Sequence, residues 1–194
     1  MTQKTPASPE VLARGYKNAR GNLLLVVIFT VVNAFMAFMG SSSYFLFSAY
    51  LPYYSVIFGL VLTGRMDVGQ EYQLDEKYLV YFVGFAVLVL GLYLLFWLFS
   101  KKHYGWLIPA LVFFVLDTIF LLRDSFGGGF DFSMLMDVVF HAWVLLSLSL
   151  GFINGVKLKK LAEAETAAAP IETTAEDVTE KNDDSVFKGK KIYL

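Results

Sequence analysis

The sequence predicts an all-α fold: an integral membrane bundle of four transmembrane helices, with a re-entrant or interfacial segment between the first and second spans. Three observations carry that expectation. Apolar residues make up 57% of the 194-residue chain and charged residues only 17%, against about 25% in soluble domains. So few polar residues cannot cover the surface of a soluble fold. The apolar residues also gather into long runs, as spanning helices require. Finally, the basic residues collect in alternate loops between those runs, the pattern of loops facing the cytoplasm.

Residues 1–21 are polar. Ser8, Pro9 and Glu10 read as a helix start, with a serine cap and a proline in the first turn. Val11, Leu12 and Tyr16 share a face opposite Arg14 and Lys17. That pattern predicts a short helix lying on the membrane, with a frayed polar tail as the alternative. The first span covers about 23–40. No small-residue cleavage site follows it, so it is read as an uncleaved span rather than a signal peptide.

The second apolar run, 44–64, is long enough to cross, yet Pro52 stands at its centre among Tyr50, Tyr53 and Tyr54. Proline removes a backbone donor, and tyrosines prefer the membrane interface. The run is therefore expected to dip in and return as two short helices buried against protein. The remaining runs, about 78–100, 104–122 and 132–156, each approach the ~20 residues needed to cross. The glycines between the last two have no following Lys-Ser/Thr, so they read as a turn rather than a phosphate loop. Residues 1–160 form the bundle. Residues 161–194 are acidic, rich in Ala and Thr, and expected to be a disordered cytoplasmic tail, with a basic, apolar end suited to an anionic leaflet.

Charge selects the topology. Lys4, Arg14, Lys17 and Arg20 precede the first span, Lys101 and Lys102 follow the third run, and Lys157, Lys159 and Lys160 follow the last. If 44–64 turns back, all three clusters lie on one side, which places both termini in the cytoplasm and the chain in the cell membrane. If it crosses, the later clusters face outward. Trp97 and Trp106 flank Lys101–Lys102 as an interfacial belt.

Absence of cysteine excludes disulfides, thiolate metal sites and cysteine nucleophiles. Only two histidines occur, His103 by a loop and His141 within a span, so a haem-ligating pair is not expected. No cofactor and no metal is expected, and a net charge of −1 points to no nucleic acid.

Polar residues inside spans are costly and mark functional candidates. Here they are Asp117, Asp137 and His141, with Asn33 as a neutral companion. Asp137 and His141, four apart, share a helical face. At ~1.5 Å per residue, Asn33 lies roughly 10 Å below the outer end of its helix, Asp117 and Asp137 about 8 Å, and His141 about 13 Å. All four fall in the outer half of the membrane. An outward polar pocket of Asn33, Asp117, Asp137 and His141, joined by Tyr50 or Tyr53, follows as a ligand-binding hypothesis. The alternative is helix glue: Asp137 bonding His141, and Asp117 bonding a neighbour such as Asn33. Gly151 and Gly155, and Gly84 and Gly91, are expected to let helices approach closely, within the bundle in preference to dimerisation.

Several stretches together carry a resemblance: Asn22–Asn33, Tyr44–Pro52, Phe99–Leu107, Leu116–Thr118, Asp137–Val144 and Lys157–Leu161. Over roughly 10–161 the chain resembles a group of small, uncharacterised multi-spanning membrane proteins of Gram-positive bacteria. The resemblance implies a bacterial plasma-membrane protein and no particular activity. Three functions are therefore expected as alternatives. One is a structural or interaction component, whose partners are the lipid bilayer and a further protein or second copy. Another binds or transports a small ligand, proton or cation through the outward pocket. The third, an intramembrane enzyme using Asp/His acid–base chemistry, lacks an evident nucleophile.

Overall fold

The computed structural model describes residues 8–41, 43–69, 73–127 and 132–168. Its elements are α1 (Pro9–Phe38), α2 (Tyr50–Leu62), α3 (Leu79–Phe99), α4 (Leu107–Gly127) and α5 (Phe132–Ala168), with single 3₁₀ turns leading into α3 and α4. The described residues contain no strand. Four helices, α1, α3, α4 and α5, are long and apolar enough to cross a membrane.

Side-chain pairings give the directions. Asn22 of α1 donates to Ser147 of α5, and Ala19 meets Gly151, so rising numbers on α1 face falling numbers on α5. Tyr93 packs on Phe114 and Phe99 on Trp106, which sets α3 antiparallel to α4. The start of α1, the α3–α4 turn and the end of α5 therefore share one end of the bundle, here the proximal end. The end of α1 and the start of α3 lie at the other, distal end. Two apolar clusters fill the interior. One, around Leu23, Val26, Tyr93, Phe114 and Leu148, joins α1, α3, α4 and α5. The other, around Ala37, Val56, Leu60 and Leu79, seats α2 near the distal end. Large apolar residues such as Val31, Phe35, Val80, Val87, Val112 and Ile119 face outward. A helix that is apolar on its outer face as well is suited to lipid.

Helix α2 is short because only part of the 44–64 run is helical. Residues 43–49 descend from the end of α1 as a non-helical limb. Then α2 climbs back, and Arg65 and Met66 arrive beside Ala37, Phe38 and Gly40, where the descent began. The run enters and leaves at the same end, as expected, but as an irregular limb in and one helix out rather than two short helices. Pro52 breaks nothing: it is the third residue of α2, in the turn where a missing N–H costs no helical bond.

Three further boundaries differ from the sequence reading. Residues 9–21 of the leader form the start of α1 rather than a separate surface helix, and residues 1–7 lie outside the described residues. Leu12, Tyr16 and Ala19 are buried against the bundle, so α1 is continuous from Pro9. Helix α4 runs five residues past the expected 122, to Gly127. Helix α5 continues to Ala168, so 161–168 are helical rather than part of a disordered tail. Alanine and glutamate favour that extension. The rest of the tail and the Gly128–Gly129 turn fall outside the described residues.

The glycines divide. A Cβ on Gly151 would lie 2.3 Å from the Ala19 Cβ, and one on Gly155 2.4 Å from the Tyr104 Cβ, so this pair does bring helices together. Gly84 and Gly91 face open space, against expectation, and pack on no neighbouring helix.

Candidate functional site

The limb and α2 bring unpaired backbone groups into the apolar interior, where each must find a partner. Three side chains supply them. Asn33, fully buried on α1, clamps Phe45: its Nδ2 donates to the Phe45 carbonyl and its Oδ1 accepts the Phe45 N–H, both at 2.7 Å. Thr30, one turn earlier, accepts the Ala49 N–H at 2.8 Å while donating to Val26 O. Asp117 of α4 accepts the N–H of Tyr50 at 2.8 Å and of Leu51 at 2.7 Å. Ala49 is the N-cap of α2, Tyr50 and Leu51 follow, and Pro52 has no N–H. Every orphan donor at the start of α2 is thereby satisfied, by residues of other helices. A carboxylate also complements the positive end of the helix dipole. Between the two anchors, Phe47 adopts a left-handed φ of 78°, a conformation that costs a bulky residue energy.

His141 completes this group. Its Nδ1 lies 2.9 Å from the carbonyl of Asp137, one turn earlier on α5, and its Nε2 lies 3.1 Å from Asp117 Oδ2. A carbonyl can only accept, so Nδ1 carries a proton. The Nε2–Oδ2 contact ties α5 to the carboxylate that caps α2. Phe114 stacks on the imidazole with centroids 5.0 Å apart.

Above this bracket lies a cleft of about 270 Å³. His141 and Ser48 line it below, Asp137 at one side, and Leu121, Asp124 and Ser125 of α4 toward the distal end. Tyrosines form its walls in two stacks, Tyr44 on Tyr53 at 5.9 Å and Tyr50 on Tyr54 at 5.0 Å. The Tyr44 hydroxyl donates to Asp137 Oδ2 at 2.8 Å, and the Tyr50 hydroxyl bonds Asp124. No lysine or arginine lines the cleft among the described residues.

Of the six residues expected to form an outward pocket, Asp137, His141, Tyr50 and Tyr53 line the distal cleft. Asn33 does not: its amide is consumed by Phe45. Asp117 does not reach the cleft either, because its side chain is fully buried and both its oxygens are engaged. The helix-glue pairs also differ. Asp117 bonds His141 and the start of α2 rather than Asn33, and His141 bonds the Asp137 carbonyl while the Asp137 carboxylate turns to Tyr44. Sequence reading missed Tyr44, Tyr54, Asp124 and Thr30. Asp124 was legible, since Asp117, Leu121, Asp124 and Ser125 follow helical spacing on one face. It was hidden by ending the fourth span at 122.

Compared with known proteins, the chain matches no family model, no curated protein and no solved structure.

Proposed function

We propose that this chain is a multi-pass bacterial plasma-membrane protein with its proximal end in the cytoplasm, and that its cleft binds a small cation bearing an ammonium group from outside. The positive-inside rule supports the orientation. Arg14, Lys17, Arg20, Lys101, Lys102, Lys157, Lys159 and Lys160 are proximal, and Lys101 sits 4.2 Å from the Trp97 ring centroid at that level. The cleft's lining carries the ligand reading: two carboxylates and two tyrosine stacks, with the His141 Nε2 held on Asp117. Carboxylates attract an ammonium group, and tyrosine faces attract it through their quadrupole.

The test is thermal stabilisation of the purified protein in neutral detergent by tetramethylammonium and by sodium as control. Tetramethylammonium raises the melting temperature of the wild type, and Asp137→Asn or Asp124→Asn removes the shift. Absence of any shift specific to tetramethylammonium rejects the ligand reading.

A second reading, an interaction component of the membrane, is favoured by the open Gly84–Gly91 face of α3. Crosslinking in native membranes from single cysteines at Val80 or Val87 tests it. The enzyme alternative gains nothing from the geometry, because Asp117 and His141 hold each other and the start of α2 rather than opening to a substrate.

A further inference from the structure

A second cavity, of about 210 Å³, lies at the proximal end between α1, the α3–α4 turn and α5. Its lining differs in kind from the distal cleft. Lys102, His103 and Lys159 are the basic residues of its lining, while Tyr16, Tyr104 and Leu158 contribute apolar surface. No carboxylate lines it among the described residues. Lys159 also meets Glu163 at 3.5 Å in an exposed pair of neighbouring turns, which holds the lysine only weakly.

The cavity is built rather than incidental. Gly155, one of the lining residues, lets α5 pack directly on Tyr104, since a Cβ there would lie 2.4 Å from the Tyr104 Cβ. The Tyr16 hydroxyl donates to the Ser100 carbonyl, and Arg20 donates to Ser100 Oγ at 2.9 Å, which fixes the α3–α4 turn against α1. Trp97 and Trp106 flank the same turn, so the cavity stands at the level where headgroups meet hydrocarbon. Two lysines and a histidine beside apolar surface match a phosphate group carrying an apolar tail. Basic pockets between spanning helices on the cytoplasmic side are suited to such headgroups.

We infer that Lys102, His103 and Lys159 form a site for a phosphate-bearing anion, a phospholipid headgroup or a free phosphate, at the proximal end of the bundle. The inference rests on the membrane placement proposed above for its lipid arm, and not on the cation cleft. Both lysines donate charge-assisted hydrogen bonds to the phosphate oxygens. The Tyr104 and Leu158 side packs the adjoining glycerol or acyl carbon when the anion is a lipid.

Native mass spectrometry of the full chain in neutral detergent tests this, with phosphatidylglycerol, phosphatidylcholine and inorganic phosphate titrated separately. Neutral detergent supplies no leaflet potential, so diffuse attraction is absent. One phosphatidylglycerol binds in preference to phosphatidylcholine, and Lys102→Gln or Lys159→Gln each weakens it about tenfold, the size of one lost charged hydrogen bond. Lys157→Gln with Lys160→Gln removes the same kind of charge outside the cavity and leaves binding unchanged. Competition by millimolar inorganic phosphate identifies free phosphate as a sufficient ligand, and its failure assigns the site to a lipid. Equal losses in cavity and control variants, or no preference over phosphatidylcholine, overturn the site. Carbonate extraction of the chain from membranes would instead defeat the membrane placement, while the phosphate titration would still read the cavity.

Discussion

The carboxylate of Asp117 caps Tyr50, a residue on another helix and 67 positions away, at 2.8 Å. A cap of this kind normally comes from the residue just before the helix. Here that position is Ala49, which has no side-chain acceptor, so α4 provides one. The same carboxylate accepts Leu51 N–H and meets His141, and this one group joins α2, α4 and α5.

Asp117→Ala should therefore be the most damaging single change in the bundle. It strands two buried amides and leaves the His141 Nε2 without its partner, a loss of about 3 kcal/mol or more. His141→Ala leaves the cap intact and should cost less. Reversible unfolding in mixed micelles measures both, and equal costs would show that the cap carries no special weight.

Asn33 both donates to and accepts from the Phe45 backbone. Asn33→Asp keeps the shape but loses the donor and faces a carbonyl with a carboxylate. It should lower stability by about 2 kcal/mol, as much as Asn33→Ala. A cysteine introduced at Phe45 should then react faster with thiol reagents in the Asn33→Asp background, since the limb is released.

The glycines give a paired prediction. Gly59→Ala places a Cβ 2.7 Å from Phe82 Cβ, and Gly151→Ala places one 2.3 Å from Ala19 Cβ. Each should cost about 1–3 kcal/mol through overpacking. Gly84→Ala and Gly91→Ala meet nothing within 4 Å and should be neutral, or stabilising by up to about 1 kcal/mol through helix propensity. Thermal denaturation of the four variants decides it. A loss of a crosslinked dimer in Gly84→Ala with unchanged monomer stability would mark that face as an interface.

The absence of cysteine makes orientation directly measurable. Single cysteines at Ser43 and Val68 should react with a membrane-impermeant reagent applied to intact cells. Cysteines at Lys102 and Lys160 should react only after permeabilisation. The reverse pattern would invert the orientation and turn the tyrosine cleft toward the cytoplasm.

How much of this was legible in the sequence depends on the range of the interaction. The four long apolar helices follow from local composition alone. The return of 44–64 followed from the distribution of lysines; Pro52 pointed the same way, although it interrupts no helix. The form of the return did not. No local signal shows that residues 43–49 lie non-helical, because what holds them is Asn33, Thr30 and Asp117 acting across helices. Hydropathy ranks those three as polar interruptions without saying what they bond. Asn33 and Asp117 were singled out for their depth, which is the right reason, yet depth served an internal bracket rather than an open pocket. Asp137 and His141 share the cleft as their i, i+4 spacing suggested, while the Tyr44 bond to Asp137 joins residues 93 apart and has no short-range trace.

The distance between Tyr50 and its cap sets an order on biogenesis. A ribosome delivers α2 long before α4, so at that stage the amides of Tyr50 and Leu51 have no acceptor. Thr30 and Asn33 are already made and can hold the descending limb, but the helix start waits for the second half of the chain. A nascent chain halted after α3 must keep the 43–51 stretch near water or in the shelter of an insertion factor. The contacts of the limb thus divide by time of synthesis: those from α1 are available first, and those from α4 and α5 only once the second half of the chain is made.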